Sequence, residues 1–206
     1  MRYTGPKNRI ARREGTDLGL KTPGSKSHTR LLNKLNVLPG QHGVRTRRKI
    51  SERGFQLREK QKLRFIFGLS EKQLKNYFKK AVMKKGNTAL YLSQFLESRL
   101  DNIIYRLGLA PTRAASRQLV THGHIAINDG KMTIPSYQVK TNDKVSFLNV
   151  KTTKIPYIEK MLTNKDTLIP SWLEKKAVAG KLISAPTSEE ISKQCNLRLI
   201  IEYYSR

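Results

Sequence analysis

Charge imbalance constrains this chain more than any other feature: 41 lysines and arginines face 15 aspartates and glutamates in 206 residues, a formal net charge of +26. A compact fold carrying that excess repels itself unless a partner supplies counter-charge, and the phosphates of a nucleic acid are the usual supply. The excess is uneven, with 13 basic and 2 acidic side chains in the first fifty residues against 6 and 3 between 101 and 150. The anion-seeking surface is therefore weighted to the N-terminal half. An anionic membrane surface would instead require a basic amphipathic helix edged with Trp, Phe and Leu. No run approaches the roughly 18 apolar residues of a bilayer span.

MRYTGPKNRI opens with charges and turn residues where a secretory signal would have an apolar segment, so the chain is expected to stay unexported. Its single cysteine, Cys195, excludes an internal disulfide framework and a cysteine-rich zinc site, and suits a reducing compartment.

Residues 1–50 contain one aromatic, Tyr3, and turn signals at Thr4-Gly5-Pro6, Thr22-Pro23-Gly24-Ser25 and Pro39-Gly40-Gln41-His42-Gly43. With so little apolar surface to bury, they are expected to form a basic extended arm that orders on a partner. Arg45, Arg47, Arg48 and Lys49 close the arm as a dense cationic cluster. A helix is predicted over 55–67. The next is clearer: Ser70 with Gln73 makes a capping box, and Leu74, Tyr77, Phe78, Ala81 and Val82 follow at helical spacing until Gly86. A third helix is predicted from Ala89 to Leu107, one face marked by Leu92, Phe95, Leu96, Leu100, Ile103, Ile104 and Leu107.

RAASRQLVTHGHIAIN, residues 113–128, then gives a short helix capped by Thr112 and a strand-like alternation into Asn128-Asp129-Gly130, a strong hairpin signal. Alternation resumes at Tyr137 to Val139 and Lys144 to Leu148 around a Thr141-Asn142-Asp143 turn. In the final third, Ile158 to Leu162 reads as helix, Pro170-Ser171-Trp172-Leu173 places the only tryptophan, and Leu197 to Tyr204 reads as a buried terminal strand or packing segment. The expected fold is α+β: a basic extended arm (1–50), a helical domain (51–92), a small module of two helices packed on a short hairpin-rich sheet (93–155), and a segment (156–206) packing back on the helical domain.

The chemistry points one way. His122 and His124 share one side of a strand, but a structural zinc site needs four nitrogen or sulfur ligands, and His28, His42 and Cys195 lie in unrelated contexts. No metal or cofactor is expected. Neither a nucleophile elbow nor a phosphate-cradling loop of the nucleotide-hydrolase type occurs, and the carboxylates are scattered. No reaction is nominated. The arginine pair is more telling: like charges at i and i+4 cost a helix about 0.2–0.5 kcal/mol, whereas a charge-assisted bond from arginine to phosphate contributes about 1.5–3 kcal/mol. Arg113 and Arg117 are therefore read as exposed phosphate ligands whose joint replacement by alanine leaves the fold intact. The type of nucleic acid stays open, since duplex DNA readers also use a short second helix.

The run SRLDNIIYRLGLAPTRAASRQLVTHGHIAIN, with IPSYQV after it, resembles the small RNA-binding domain named after the small-subunit ribosomal protein S-four. RREGTDLGLK at 12–21 (counted from Arg12), PGQHG at 39–43, QLREKQKLRFIFGLSEKQLKNYF at 56–78, KGNT at 85–88 and the terminal LIIEYYSR resemble the bacterial-type S-four family itself, over nearly the whole chain. That resemblance implies a non-enzymatic constituent of the small ribosomal subunit that binds the 5′ domain of its RNA early in assembly. It also implies neighbours S-five and S-twelve, a place near the messenger RNA entry region, an influence on decoding accuracy, and a cytoplasmic or organellar ribosome.

Carried onto this sequence, RNA contact is expected at Arg12, Arg13, Arg45, Arg47, Arg48, Lys49, Arg58, Lys60, Lys62, Arg64, Arg99, Arg106, Arg113, Arg117, His122 and His124. Some family members hold zinc through four N-terminal cysteines. Here Asn8 and Ala11 stand in corresponding places and no cysteine occurs between 20 and 35, so a zinc-free arm is expected. An RNA-modifying enzyme or a free regulatory RNA-binding protein carrying the same module are the alternatives.

Overall fold

The computed structural model describes residues 3–44, 49–163 and 168–205. Helices α1 (Lys7–Glu14), α2 (Lys26–Leu32), α3 (Glu52–Ile66), α4 (Glu71–Val82), α5 (Thr88–Glu97), α6 (Leu100–Arg106) and α7 (Arg113–Thr121) precede strands β1 (Ile125–Ile127), β2 (Gly130–Met132) and β3 (Lys144–Phe147). A 3-10 turn (Val150–Lys154) and α8 (Pro156–Thr163) lead to β4 (Leu173–Lys176), β5 (Ala179–Leu182), the short α9 (Glu189–Ser192) and α10 (Leu197–Ser205). The class is α+β, as the sequence predicts. The chain divides into two compact units, one of residues 1–89 with 189–206 and one of residues 90–188.

In the first unit, serines start the helices: the hydroxyls of Ser25, Ser51 and Ser70 accept from the backbone N–H of His28, Gly54 and Gln73. The capping box is complete, with the Gln73 side chain accepting from the Ser70 N–H. Leu74, Phe78 and Ala81 form the buried stripe of α4. The apolar spacing of α3 looks irregular because its buried stripe, Gln56, Lys60, Leu63 and Ile66, is half polar. Those polar positions are matched from α10 and α4. Gln56 Nε2 donates to Glu202 at 3.2 Å, and Lys60 Nζ lies 2.9 Å from Glu71 and 4.6 Å from the Tyr203 ring centre. Tyr204 donates to Glu71 at 2.8 Å and stacks on Phe78 with centroids 4.9 Å apart. Partial burial would raise the Glu71 carboxyl, but the two hydrogen bonds outweigh it and hold it below its ordinary range.

Three expectations are corrected here. The terminal LRLIIEYYS is a helix, because Leu197 and Ile200 bury at a spacing of three and Asn196 Oδ1 caps the Arg198 N–H at 3.1 Å. A short apolar run reads equally as strand until its partner is known. The first fifty residues do not form an extended arm over their described part. Helices α1 and α2 bury Ile10, Ala11 and Leu31, and Leu18 between them is 3% exposed. The segment 156–206 is divided: β4 and β5 belong to the second unit, and residues 189–206 belong to the first.

The second unit is built on an antiparallel sheet in the order β2-β1-β3-β5-β4. Ile127 pairs with Gly130 across a two-residue turn in which Asn128 and Asp129 both take positive φ, 48° and 67°, as the Asn-Asp-Gly signal requires. Its core joins Leu100, Ile103, Ile104 and Leu107 of α6, Leu119 and Val120 of α7, Ile125, Ile127 and Val145 of the sheet, and Trp172. The single helix expected over 89–107 is two, broken at Ser98-Arg99. Arg99 is extended (φ −64°, ψ 137°) and bridges Gln138, while Val139 donates to the Ser98 carbonyl and Leu100 to that of Tyr137, each at 2.9 Å. The strand expected at 137–139 is spent on this bridge.

Gly180 of β5 lies against Leu107, the residue that caps the end of α6, and an added Cβ there would run into the Leu107 side chain. Gly180→Ala should therefore destabilise the protein by about 1–3 kcal/mol in denaturant unfolding. Combined with Leu107→Ala it should cost less than the two changes added together. Strict additivity would show that the two residues do not share this space.

Candidate nucleic-acid interface

Two of the fifteen carboxylates decide which cations of the second unit face outward. Glu97 is fully buried and takes a fork from Arg106, at 3.0 and 2.6 Å, together with Asn102 Nδ2 at 2.6 Å. Asp101, 4% exposed, takes a second fork from Arg99, at 3.0 and 2.6 Å. Arg99 has no exposed surface. Arg113 is 8% exposed, donates from Nε to Asn102 Oδ1 at 2.8 Å, and lies 4.4 Å above the Tyr105 ring. Burial, with the charge of Arg106 beside it, lowers the pKa of the Arg113 guanidinium.

Arg99 and Arg113 are thus corrected from surface ligands to parts of a buried network tying α6 to α7 and to the end of α5, whereas Arg106, held by Glu97, keeps 14% of its side-chain surface. Arg117, one turn beyond Arg113, keeps 31% of its side-chain surface and touches Asp101 only loosely, at 3.5 Å. Asp101, 3.5 Å from Arg117, also acts favourably on the charge of Arg113 and offsets the repulsion between the two arginines. His122 follows α7 and is exposed, whereas His124 is half-buried with Nδ1 3.4 Å from Thr152 Oγ1. Their rings are 6.2 Å apart, and no group of three or more His, Cys, Asp or Glu side chains that could hold a metal ion occurs among the described residues.

Sequence reasoning missed Lys131. It is exposed on β2, and its Cε and Nζ lie over Gly123, whose φ of 73° turns the chain out of α7. The only signal was the hairpin register, which pairs Lys131 with Ala126, two residues beyond His124.

In the first unit α1, the turn at 38–43 and α3 enclose a cleft of about 720 Å³. Arg12 builds the wall: its Nε and Nη2 donate to the carbonyls of Val37 and Leu38 at 2.9 and 3.1 Å, holding the turn to α1. Gly43 is required there, since a Cβ would run into the Leu38 carbonyl oxygen. Arg13, Lys49 and Arg58 line the cleft, the first two exposed and the third half-buried. Arg45, Arg47 and Arg48 lie outside the described residues. Along α3, Lys60 is buried against Glu71, which removes it from the expected surface set. Lys62 pairs with Glu59 at 2.6 Å, and Arg64 lies 3.9 Å from Glu71 and 4.6 Å above the Phe65 ring.

Residues 2–97 match the family described as the ribosomal protein S4/S9 N-terminal domain, and residues 98–145 match the S4 domain. The chain is 45% identical over 207 residues to the small ribosomal subunit protein uS4 of Chromobacterium violaceum, covering 100% of this chain and 99% of that protein. It is 44% identical over 207 residues, with the same coverage, to the uS4 protein of Laribacter hongkongensis. Against that of Xanthomonas campestris pv. campestris the identity is 43% over 209 residues, again across 100% of this chain and 99% of the relative.

Arg113→Ala should lower stability by about 3 kcal/mol, because it strands buried polar partners. Arg117→Ala should cost less than about 1 kcal/mol, as an exposed pair does. Urea titrations of the two variants check this, and equal costs would refute the division into a structural and an outward arginine.

Proposed function

Because the chain belongs to the ribosomal protein S4 family, we propose that it is a structural constituent of the small ribosomal subunit that grips the 5′ domain of the subunit's RNA and starts assembly there. The observation that carries this reading is the inequality between acids and bases: Glu97, Asp101 and Glu71 are spent on internal arginines and a lysine, leaving Arg13, Lys49, Arg58, Arg117, His122 and Lys131 with solvent-facing surface. Phosphate and ribose contacts from such a set read RNA shape rather than base sequence. The chain is not an enzyme. Its relatives across the full length are ribosomal proteins.

Two sets of contacts are proposed. One is the first-unit cleft with Arg12, Arg13, Lys49 and Arg58, joined by Lys62, Arg64 and the cluster Arg45, Arg47 and Arg48; the other is the end of α7 with Arg117, His122, His124 and Lys131. Neighbouring proteins S-five and S-twelve, the messenger entry region and decoding accuracy belong to the same reading, and the ribosome is its place of work.

If about 6–10 phosphates are neutralised, affinity for 5′-domain RNA should fall by about 10³–10⁵ between 50 and 200 mM salt. Arg117→Ala or Lys131→Ala should reduce the slope of log affinity against log salt by about one. The protein alone should protect the 5′ region of small-subunit RNA from chemical probing. Salt-insensitive binding, or protection elsewhere in that RNA, would overturn the proposal.

A further inference from the structure

Repulsion is built into the outer face of the five-stranded sheet. Successive side chains of a strand alternate between faces, so cross-strand partners share one. The face with Ile125, Ile127, Val145 and Leu182 belongs to the core. On the opposite face the register sets Lys144 of β3 directly against Lys181 of β5, and Lys181 against Glu174 of β4. Like charges opposite one another on adjacent strands destabilise a sheet. Glu174 is engaged by Lys176 at 3.0 Å, and its charge is matched there. Asp129 reaches Lys144 only at 4.0 Å with both side chains exposed, a contact of little strength. Lys181 is exposed and makes no ion pair among the described residues.

The two lysines line a hollow of about 300 Å³ together with Lys176, Glu174 and the small residues Ala179 and Gly180. Directly opposed side chains stand about 5 Å apart at Cβ, so both ammonium groups reach a single anion seated in the hollow. A phosphate there turns mutual repulsion into two charge-assisted contacts. An acidic protein segment would also answer the charge, but protein interfaces draw their affinity from large buried anchors, and no large apolar side chain lines the hollow. A strand added to the sheet would use its edge and not its face.

Continuity also favours RNA. Lys131, Ala126, Ser146, Ala179 and Lys176 are aligned across β2, β1, β3, β5 and β4 on this same face. β2 lies two strand spacings from β3, about 10 Å, so an RNA strand held beside α7 by Lys131 continues to Lys144 and Lys181 without leaving the face.

We propose that the outer face of this sheet is a further surface for the RNA backbone, with Lys144 and Lys181 clamping one phosphate and Lys176 at the rim. The inference rests on the RNA-binding reading above and adds to its two sets of contacts a third, on β3, β4 and β5.

Amine acetylation read by mass spectrometry on the full-length chain, alone and with 5′-domain RNA, tests it. Lys144 and Lys181 should lose most of their labelling when the RNA is bound. Lys144→Ala combined with Lys181→Ala should reduce the slope of log affinity against log salt by about two. Undiminished labelling of both lysines in the RNA complex, or an unchanged slope in the double variant, would overturn the inference. So would labelling lost only in complete small subunits and not with RNA alone, which would put a protein on this face. The labelling comparison uses the unaltered chain and stands if the double variant folds poorly. Lys131 separates this inference from the earlier reading: its protection with Lys144 and Lys181 still reactive sinks only this one, whereas salt-insensitive binding sinks the earlier reading and this one with it.

Discussion

Carboxylate scarcity governs this structure. With 15 acids for 41 bases, each buried acid settles the fate of the cations around it. Glu97 and Asp101 hold Arg106 and Arg99, and Asn102 links the Glu97 bridge to Arg113. Buried ion pairs contribute little net stability, since desolvation offsets most of the attraction. What they supply here is geometry. Arg113 holds the start of α7 against Asn102 of α6 and above Tyr105, so Arg117 is presented from a fixed helix. In the first unit Glu71 plays the same part, gathering Lys60 and Tyr204 where α3, α4 and α10 meet.

Local chemistry was legible in the sequence. The Ser70–Gln73 box, the Asn128-Asp129-Gly130 turn and the stripe of α4 each depend on residues within a few positions of one another, and each takes the form its local preferences dictate. The features that escaped reading depend on distant partners. Nothing near Ser98-Arg99 interrupts a helical pattern; the break exists because Gln138, some forty residues on, bridges Arg99. The terminal segment, expected as a buried strand or packing segment, is a helix because α3 offers it a half-polar stripe to lie on. The arm folds because a handful of apolar residues, Ile10, Ala11, Leu18 and Leu31, suffices once Arg12 ties the following turn to α1.

The same division explains the site. Composition and spacing identify which side chains can meet a phosphate but not which side of the surface they occupy. Arg113 and Arg117 are identical in sequence terms, and burial separates them. Lys60, four residues before Arg64 on α3, is lost to the interior because Glu71 reaches it from the next helix. Lys131 was overlooked because its proximity to Gly123 arises from strand pairing.

Phosphate contact is generous and undiscriminating. Each added lysine or arginine strengthens the grip on any RNA, and salt weakens all such contacts together. A protein that must settle on one site among many therefore gains selectivity by another route, the rigid spacing of its cations. The arginine network of the second unit provides this spacing, by converting cations that could have enlarged the charged surface into struts that hold the remaining ones in place. In a chain so short of acids, the position of each one decides what the bases around it can recognise.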